Sequence, residues 1–356
     1  MTLSLCMIVK DEELTLARCL GCVQPFADEI VIVDTGSSDG TAVVARNYTE
    51  KVFSFAWCDD FSAARNFSFS KASCDLVMWL DADDVVAEED VRRICALKDE
   101  MENYDVAMLL YAAAFSGGRP AFEYYRERIF RRSFGFEWKG AVHEAVEPRG
   151  RIVWSDAVIR HEKVRPPQPM RNLRIYQGLI ASGKPLAPRD LFYYGRELYF
   201  NNMHAECAAV LERYLAGEGW EQNRAEACLT LHAAYSALGD QDRAVAALLR
   251  SFSVSAPDSR ACCMLGERLL EAGNLAAAKF WYETAMRLPR DLKNGAFFQS
   301  DYCDFIPCMQ LCVINYRLGD AAAAERFNGL AAEIKPDDER VVQNMHFFRS
   351  LKGGKL

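Results

Sequence analysis

The first part of the chain alternates short apolar runs with amphipathic stretches. Uninterrupted apolar runs such as residues 76–80 are typical of strands covered on both faces, and the stretches between the runs have the apolar spacing of helices. The predicted order is strand 3–9, helix 14–23, strand 29–34, helix 41–47, strand 51–55, helix 62–72 and strand 76–80. This strict alternation predicts a mostly parallel, twisted sheet with helices on both faces.

The pattern changes beyond residue 190, where apolar positions recur with a helical period. The tripeptide Leu-Gly-Asp at 238–240 is followed 34 residues later by Ala-Gly-Asn at 272–274, and 34 residues is the tetratricopeptide period. A second Leu-Gly-Asp, at 318–320, follows after a further 46 residues, and the excess of twelve falls within 292–303. The second half therefore predicts an all-α stack of helical hairpins.

Each predicted hairpin has a residue suited to a left-handed turn, and a small residue follows it five positions later. We count about four such repeats, closed by a polar-faced capping helix at 339–351. The turn residues are Asn202, Gly239, Gly273 and Gly319, and the small residues are Cys207, Ala244, Ala278 and Ala324.

Length and charge exclude some classes of protein. The chain has 356 residues, enough for two domains with separate cores, and a net charge of -8 that does not favour a nucleic-acid surface. The longest apolar run, residues 106–115, is too short to span a bilayer, and no basic targeting region precedes the first strand. We therefore expect a cytoplasmic protein with no nucleic-acid partner and no integral membrane segment.

Strand 76–80 runs directly into the carboxylates of Asp81, Asp83 and Asp84. Residues two apart in extended chain project to the same side, so Asp81 and Asp83 can approach one divalent cation beyond the carboxyl end of the strand. An EF-hand is excluded because its sixth and twelfth loop positions would be Val86 and Arg92. Two alternatives stay open at this point: capping of the next helix, at 88–97, and the nucleophile motif of a haloacid dehalogenase-like phosphohydrolase.

Two further polar segments follow predicted strands on the same side of the sheet. The loop 34–41 reads Asp-Thr-Gly-Ser-Ser-Asp-Gly-Thr, in which Asp34 could accept hydrogen bonds from a ribose or base. Its alternative is a helix-entry turn capped by Asp39 or Thr41. Arg65, at the start of the third helix, could hold a phosphate with two hydrogen bonds, and its alternative is a solvated surface arginine.

Four segments, in this order, resemble the nucleotide-sugar half of family 2 inverting glycosyltransferases, which have the GT-A fold. The phosphohydrolase alternative is disfavoured, because its Asp-containing strand comes first in the domain whereas three strands precede it here. Residues 136–144, 158–161 and 192–198 also resemble the subgroup that contains sublancin-type peptide S-glycosyltransferases. The four segments are 4–12, 32–41, 64–66 and 80–84.

The resemblance implies a role for individual residues. Val9, Asp34 and Asp39 would frame the nucleoside of a nucleotide-diphosphate sugar, with a UDP-sugar as the expected donor. Arg65 and Asp81 would lie beside its phosphates. Glu144 would be the general base, with His143 as the alternative. The metal ligands for Mg²⁺ or Mn²⁺ would be Asp81, Asp83 and His161.

The predicted domains are a GT-A domain at 1–165, a proline-rich linker at 166–189 with one helical stretch at 172–181, and a tetratricopeptide-like domain at 190–356. The repeats are expected to present a peptide or protein acceptor along a groove. A homodimer contact or a purely stabilising role is the alternative for the repeats, and a cell-envelope glycan or lipid carrier is the alternative acceptor. A catalytically inert binding scaffold is the third possibility. The expected surface positions of the groove are Tyr193, Arg196, Tyr235, Glu267 and Tyr302.

Overall fold

A computed structural model describes residues 1–116, 119–164, 168–295 and 298–353. The chain divides into two compact units: residues 1–114 with 123–193, and residues 115–122 with 194–356. The division between the second and first units thus falls at Tyr193, inside a helix. No helix in the described ranges is both long enough and apolar enough to cross a membrane.

The strands of the first unit lie close to where the apolar runs predict them. All seven predicted elements from residue 3 to residue 80 begin and end within two residues of their predicted bounds. The strands are β1 (Leu3–Val9), β2 (Glu29–Asp34), β3 (Val52–Ser54), β4 (Leu76–Trp79), β5 (Asp84–Val86), β6 (Val106–Ser116), β7 (Arg119–Arg131), β8 (Trp138–Lys139), β9 (Ala145–Val146) and β10 (Ile152–His161).

The main sheet has the strand order β3-β2-β1-β4-β7-β6-β10-β5. Its first four strands are parallel, as predicted, because each is returned to the same edge by an intervening helix. Strand β7 then pairs antiparallel to β4, and β5 pairs antiparallel to β10, so the sheet is mixed. Strands β8 and β9 form a separate ribbon.

Helices cover this sheet, and its apolar core is continuous. Leu5 and Met7 of β1 and Met78 of β4 are fully buried, together with Leu20 and Ile94 from helices on one face. The helices of the first unit are α1 (Leu16–Val23), α2 (Thr41–Arg46), α3 (Phe61–Ser70), α4 (Glu88–Glu100) and α5 (Arg171–Ala181).

The predicted linker is part of the first unit. Residues 166–167 of it lie outside the described ranges, but α5 buries Leu173, Ile175 and Tyr176. The next helix, α6 (Pro188–Phe200), begins in the first unit and ends in the second. The proline-rich composition indicated a spacer, whereas three apolar side chains at helical spacing give α5 a buried face.

The second unit consists of helical hairpins, as the period predicts. The four predicted turn residues all have positive φ, between 60° and 86°. The four predicted small residues are fully buried, where the paired helices meet. The remaining helices are α7 (His204–Ala216), α8 (Glu221–Ala237), α9 (Gln241–Val254), α10 (Ser259–Glu271), α11 (Leu275–Arg287), α12 (Phe305–Arg317), α13 (Ala321–Ile334) and α14 (Glu339–Gly353).

The twelve extra residues of the interrupted repeat have a structural role. They include a two-residue strand, β11 (Phe298–Gln299), which pairs with β7, and a short 3₁₀ helix, Ser300–Tyr302. The Ser300 hydroxyl donates to the carbonyl of Pro120, 2.9 Å away. This contact ties Pro120 to the insertion, and the described residues 115–116 and 119–122 group with the helical unit.

Candidate active site

Three neighbouring parallel strands bring the predicted donor-side residues to one edge of the sheet. Val9 ends β1 directly opposite Asp34, which ends β2, and β4 lies on the other side of β1 with Cys6 opposite Trp79. Asp81 follows β4 by two residues. In sheets of this kind the carboxyl ends of parallel strands are where ligands bind.

A tight turn follows β4 and orders the three carboxylates. The backbone N–H of Asp84 donates to the carbonyl of Asp81, 3.0 Å away, and the N–H of Asp81 donates to Asp84 Oδ2 at 3.0 Å. This reciprocal pair places Asp84 beneath the turn, fully buried, while Asp81 and Asp83 stay partly exposed above it.

Asp83, Asp84 and His161 form a group that could hold a metal ion, with ligand atoms within 4.8 Å of one another. His161 ends β10 opposite Asp84, and its Nδ1 lies 3.2 Å from Asp83 Oδ1 and 3.2 Å from Asp84 Oδ1. Burial alone would lower the pKa of His161, but hydrogen bonds and charge from the two carboxylates raise it to about 9. This position therefore favours a positive charge, which is what a cation site requires.

Asp84 accepts hydrogen bonds from four groups. Besides the Asp81 N–H and the His161 ring, Tyr111 Oη donates to its Oδ1 and Arg128 Nη1 to its Oδ2, both at 3.2 Å. A carboxylate has about four acceptor positions, so these partners saturate it. Asp84 is thus better suited to orient His161 than to bind an ion itself, and metal-binding histidines commonly donate their other ring N–H to a carboxylate.

Arg65 is buried against two indole rings, which excludes the solvated-arginine alternative. Its guanidinium carbon lies 4.6 Å from the ring centroid of Trp79 and 4.9 Å from that of Trp138, and its side chain is 7% exposed. Arg65 Nη2 donates to Asp81 Oδ1 at 2.8 Å and Nε to Glu144 Oε1 at 2.6 Å. One arginine therefore joins two predicted site carboxylates.

The charges around Asp81 determine its protonation state. Burial would raise the pKa of Asp81, but the Arg65 and Arg128 guanidinium groups, the Arg65 hydrogen bond and His161 outweigh it and lower the pKa to about 2. Asp81 is consequently ionised at neutral pH. The guanidinium groups of Arg126 and Arg128 also lie against Trp79, at 5.1 and 3.7 Å from its ring centroid.

The predicted base and its alternative lie on one strained loop. Glu144 has a largely buried side chain, 11% exposed, which is held by Arg65. His143 has a φ of 52°, which is uncommon for a residue with a side chain, and its ring stacks on Tyr193 at a centroid distance of 4.3 Å. Only Glu144 is joined to Asp81 through Arg65, so Glu144 is the better placed of the two.

The three nucleoside-side residues have local partners. Asp34 Oδ1 accepts from the N–H groups of Gly36 and Ser37, at 3.0 and 2.8 Å. Asp39 accepts from the N–H of Thr41 at 2.9 Å, as in the helix-entry alternative. The Val9 carbonyl accepts from the Thr35 N–H at 3.0 Å. These contacts shape the loop, and the donor-binding role of the three residues stays a prediction.

The expected acceptor surface needs correction. Tyr193 and Tyr235 were expected at the surface of the repeat groove, but they are 8% and 5% exposed. Tyr193 belongs to the first unit, against His143, and Tyr235 packs beneath Arg243 with its hydroxyl on Glu212. Arg196 is half-buried over Phe200 in the second unit. Buried positions and groove-facing positions of a helix recur with the same period, so the sequence period did not distinguish buried tyrosines from exposed ones.

Sequence reasoning also missed residues that the site depends on. Asp84 was part of the carboxylate run but received no role, and Trp138 lies inside the segment 136–144 without having been singled out. Arg128 lies in β7 within the charged run Arg126-Glu127-Arg128, so its sequence context did not distinguish it from its neighbours. Trp79 looked like one more apolar strand residue.

Residues 4–148 match the family model described as Glycosyl transferase family 2. This part of the chain is therefore similar to the family 2 glycosyltransferases. The match contains Arg65, the carboxylate turn and Glu144, and it ends before His161 and α5.

Several curated proteins are similar to the chain. A TPR repeat-containing protein of Synechococcus elongatus is 34% identical over 169 residues, 44% of this chain and 41% of that protein. Glycosyltransferase SunS of Bacillus phage SPbeta is 22% identical over 228 residues, 60% of this chain and 53% of that protein. The lipopolysaccharide core biosynthesis glycosyltransferase LpsC of Rhizobium meliloti is 30% identical over 162 residues, 42% of this chain and 58% of that protein. The chain thus spans about half the length of these relatives.

Proposed function

We propose that the chain transfers a sugar from a nucleotide-diphosphate sugar, with UDP as the expected nucleotide, to a peptide or protein acceptor, with inversion at the anomeric carbon. The observation that carries the proposal is the cluster of Asp83, Asp84 and His161, which lies beside the Arg65 network within a glycosyltransferase unit. An inert scaffold has no need for a buried arginine that joins two carboxylates beside a potential cation site.

A divalent cation fits the donor set. Asp83 and His161 would be its main ligands, because Asp84 is saturated and Asp81 is paired with Arg65. Carboxylates suit both Mg²⁺ and Mn²⁺, and the imidazole favours Mn²⁺. When bound, the ion would neutralise charge on the departing nucleoside diphosphate.

The chain's own residues have complementary roles in this proposal. Glu144 takes the proton of the acceptor nucleophile, and Arg65 fixes the direction of its carboxylate. Arg65 retains a buried Nη1 without a hydrogen-bond partner, which can donate to a phosphate oxygen. Three arginines around Trp79 favour the anionic leaving group at this end of the sheet.

The acceptor class is the less constrained part of the proposal. Helical repeats commonly bind peptides, and the resemblance to peptide S-glycosyltransferases favours such an acceptor. The similarity to LpsC, which is named for lipopolysaccharide core biosynthesis, favours a glycan acceptor as the second candidate. The proposed localisation is cytoplasmic, and a homodimer through the repeats is compatible with either acceptor.

One assay tests both parts. The 356-residue chain is incubated with Mn²⁺ and a panel of UDP-, GDP- and dTDP-sugars. Released nucleoside diphosphate is measured with no acceptor, with a peptide mixture and with an oligosaccharide mixture. Peptide-dependent release supports the proposal. Release stimulated only by oligosaccharides favours the second candidate, and no release with any donor contradicts both.

A further inference from the structure

The loop that carries Glu144 is held in an unusual way. Gly140 and His143 have positive φ angles, 97° and 52°, and the second costs energy because His has a Cβ. Backbone of this kind persists only where its surroundings fix it. The contacts that fix it therefore control the direction of the Glu144 side chain.

Four successive carbonyls of this loop each accept a hydrogen bond from a different element. The Ala141 carbonyl accepts from the Phe61 N–H at 2.9 Å, and the Glu144 carbonyl accepts from Arg126 Nη2 at 3.4 Å. These two donors come from α3 and β7, inside the family match.

The two central carbonyls are bound by donors from the predicted linker region. The Val142 carbonyl accepts from Tyr176 Oη, at 3.3 Å, and the His143 carbonyl accepts from Nε and Nη2 of Arg189, at 3.3 and 3.1 Å. Arg189 in turn lies 4.9 Å from the ring centroid of Tyr193, on which His143 stacks. All of these contacts lie within the first unit.

We propose that Arg189 is a positioning residue for Glu144: its two hydrogen bonds to the His143 carbonyl, supported by Tyr193, hold the His143–Glu144 peptide so that the carboxylate meets Arg65 and the acceptor. The inference rests on the proposed function. It assigns an active-site role to the stretch after residue 148, which the family match does not include.

The proposal predicts a specific kinetic pattern. Arg189→Met keeps the aliphatic stem and removes both donors, so kcat for sugar transfer should fall about 10- to 100-fold, because small displacements of a reacting group are costly. The KM for the donor should stay within about twofold, since the donor-side residues are unchanged. Arg189→Lys restores one donor and should recover part of the loss. Arg174→Met is the matched control, because Arg174 is an exposed arginine on α5, and it should have wild-type kinetics.

A double variant separates positioning from general destabilisation. If Arg189 acts through Glu144, then Arg189→Met combined with Glu144→Gln should be no slower than Glu144→Gln alone, because residues that act as a unit are not additive. If the loss of kcat in the double variant equals the product of the losses in the two single variants, the proposal is overturned.

Hydrogen exchange provides a readout that does not need turnover. Peptides covering residues 137–147 should exchange faster in Arg189→Met than in wild type or Arg174→Met, with no change over β1 or β4. Unchanged exchange at 137–147 would overturn the proposal even if no donor sugar is turned over. Faster exchange in an enzyme whose transfer kcat is unaffected would overturn it as well. The proposed function itself fails only if the wild type shows no transfer.

Discussion

At the scale of single residues, the site is a set of buried charges that hold one another in place. Arg65 and Arg128 both lie against the Trp79 ring, and each is paired with a carboxylate of the turn after β4. Removing one member of such a buried pair leaves an uncompensated charge, which costs more than the pair contributes. Function and stability are therefore linked at these positions but can be separated at Asp83.

The first prediction compares Asp83→Asn with Asp84→Asn. Asp84 is fully buried and paired with Arg128, so its neutralisation should destabilise the fold by about 3 kcal/mol. Asp83 is 19% exposed and its side chain is paired with the His161 ring, so its neutralisation should leave the melting temperature nearly unchanged. Thermal melts and transfer assays with Mn²⁺ would measure both.

Sugar transfer should be lost in Asp83→Asn and reduced in Asp84→Asn, the second by about 10- to 100-fold through weaker metal affinity. Asp99→Asn, at an exposed position of α4, is the control. Equal destabilisation by the two site substitutions would contradict the distinction between a ligand and an orienting residue.

The second prediction concerns Arg65→Lys. Lysine keeps the charge but cannot donate in two fixed directions, so it should lose either the Asp81 or the Glu144 contact. Transfer kcat should fall at least about tenfold, with a smaller change in donor affinity. Steady-state kinetics check this, with Arg46→Lys, an exposed arginine of α2, as the matched control. Wild-type kinetics in Arg65→Lys would mean that the guanidinium fork is not needed.

At the scale of elements, the local sequence pattern predicted the strands and turns that depend mainly on local sequence. The first three strands and the four repeat turns are specified by apolar runs and by residues that tolerate positive φ, and they lie where the sequence indicated. Strand β7 between β4 and β6 was not predictable, because strand partners far apart in the chain leave no mark on local periodicity. Strand β5 has only three residues and depends on β10 for its hydrogen bonds.

The same reasoning applies to the site. Asp83 and His161 were found from the carboxylate motif and the family resemblance. Asp84 was passed over because its role depends on Arg128 and Tyr111, which come from two later strands. No local sequence feature marks these residues as a buried set, because their burial follows from the pairing of distant strands.

The third prediction concerns Glu29, at the other end of the sheet. Glu29 begins β2 and accepts hydrogen bonds from Ser4, Lys51 and Ser73, so it joins three segments. Burial would raise its pKa, but these hydrogen bonds lower it to about 2 from an ordinary value of 4.5. A depressed pKa means that the ionised form stabilises the fold above pH 4.5, and that this contribution is lost as the pH falls from 4.5 towards 2.

Glu29→Gln should therefore lower the free energy of unfolding by about 2–3 kcal/mol at pH 7 and by progressively less below pH 4.5. Urea unfolding at pH 7, 4 and 3 measures the difference. Glu50→Gln, at a nearby exposed position, should show no such pH-dependent difference. A difference between wild type and Glu29→Gln that grows towards low pH would contradict the assigned sign.

At the scale of the whole molecule, composition and structure give different boundaries for the first unit. Proline-rich sequence predicted a linker at 166–189, whereas α5 and the start of α6 belong to the first unit and bind the loop of Glu144. Leu173 and Tyr176 of α5 are fully buried, so the surface that they cover would face water without this helix. The first unit is therefore complete only at Tyr193.

The fourth prediction tests this boundary with two truncated chains. A chain ending at residue 165 lacks α5 and should lose cooperative unfolding and donor binding, because it exposes the apolar surface that Leu173, Ile175 and Tyr176 cover. A chain ending at residue 203 retains α6, so it should bind a nucleotide sugar with Mn²⁺ within about threefold of the affinity of the 356-residue chain. Its melting temperature should be lower, because Pro120 and its neighbours lose their partners in the helical unit. Calorimetric titration and thermal melts measure both properties.

If the chain ending at 165 binds the donor as tightly as the chain ending at 203, then α5 and α6 are dispensable for the donor site, and the original linker assignment describes the molecule better. If neither truncated chain binds while the full-length protein does, the helical repeats are needed to maintain the donor site itself, and their contribution is not limited to the acceptor.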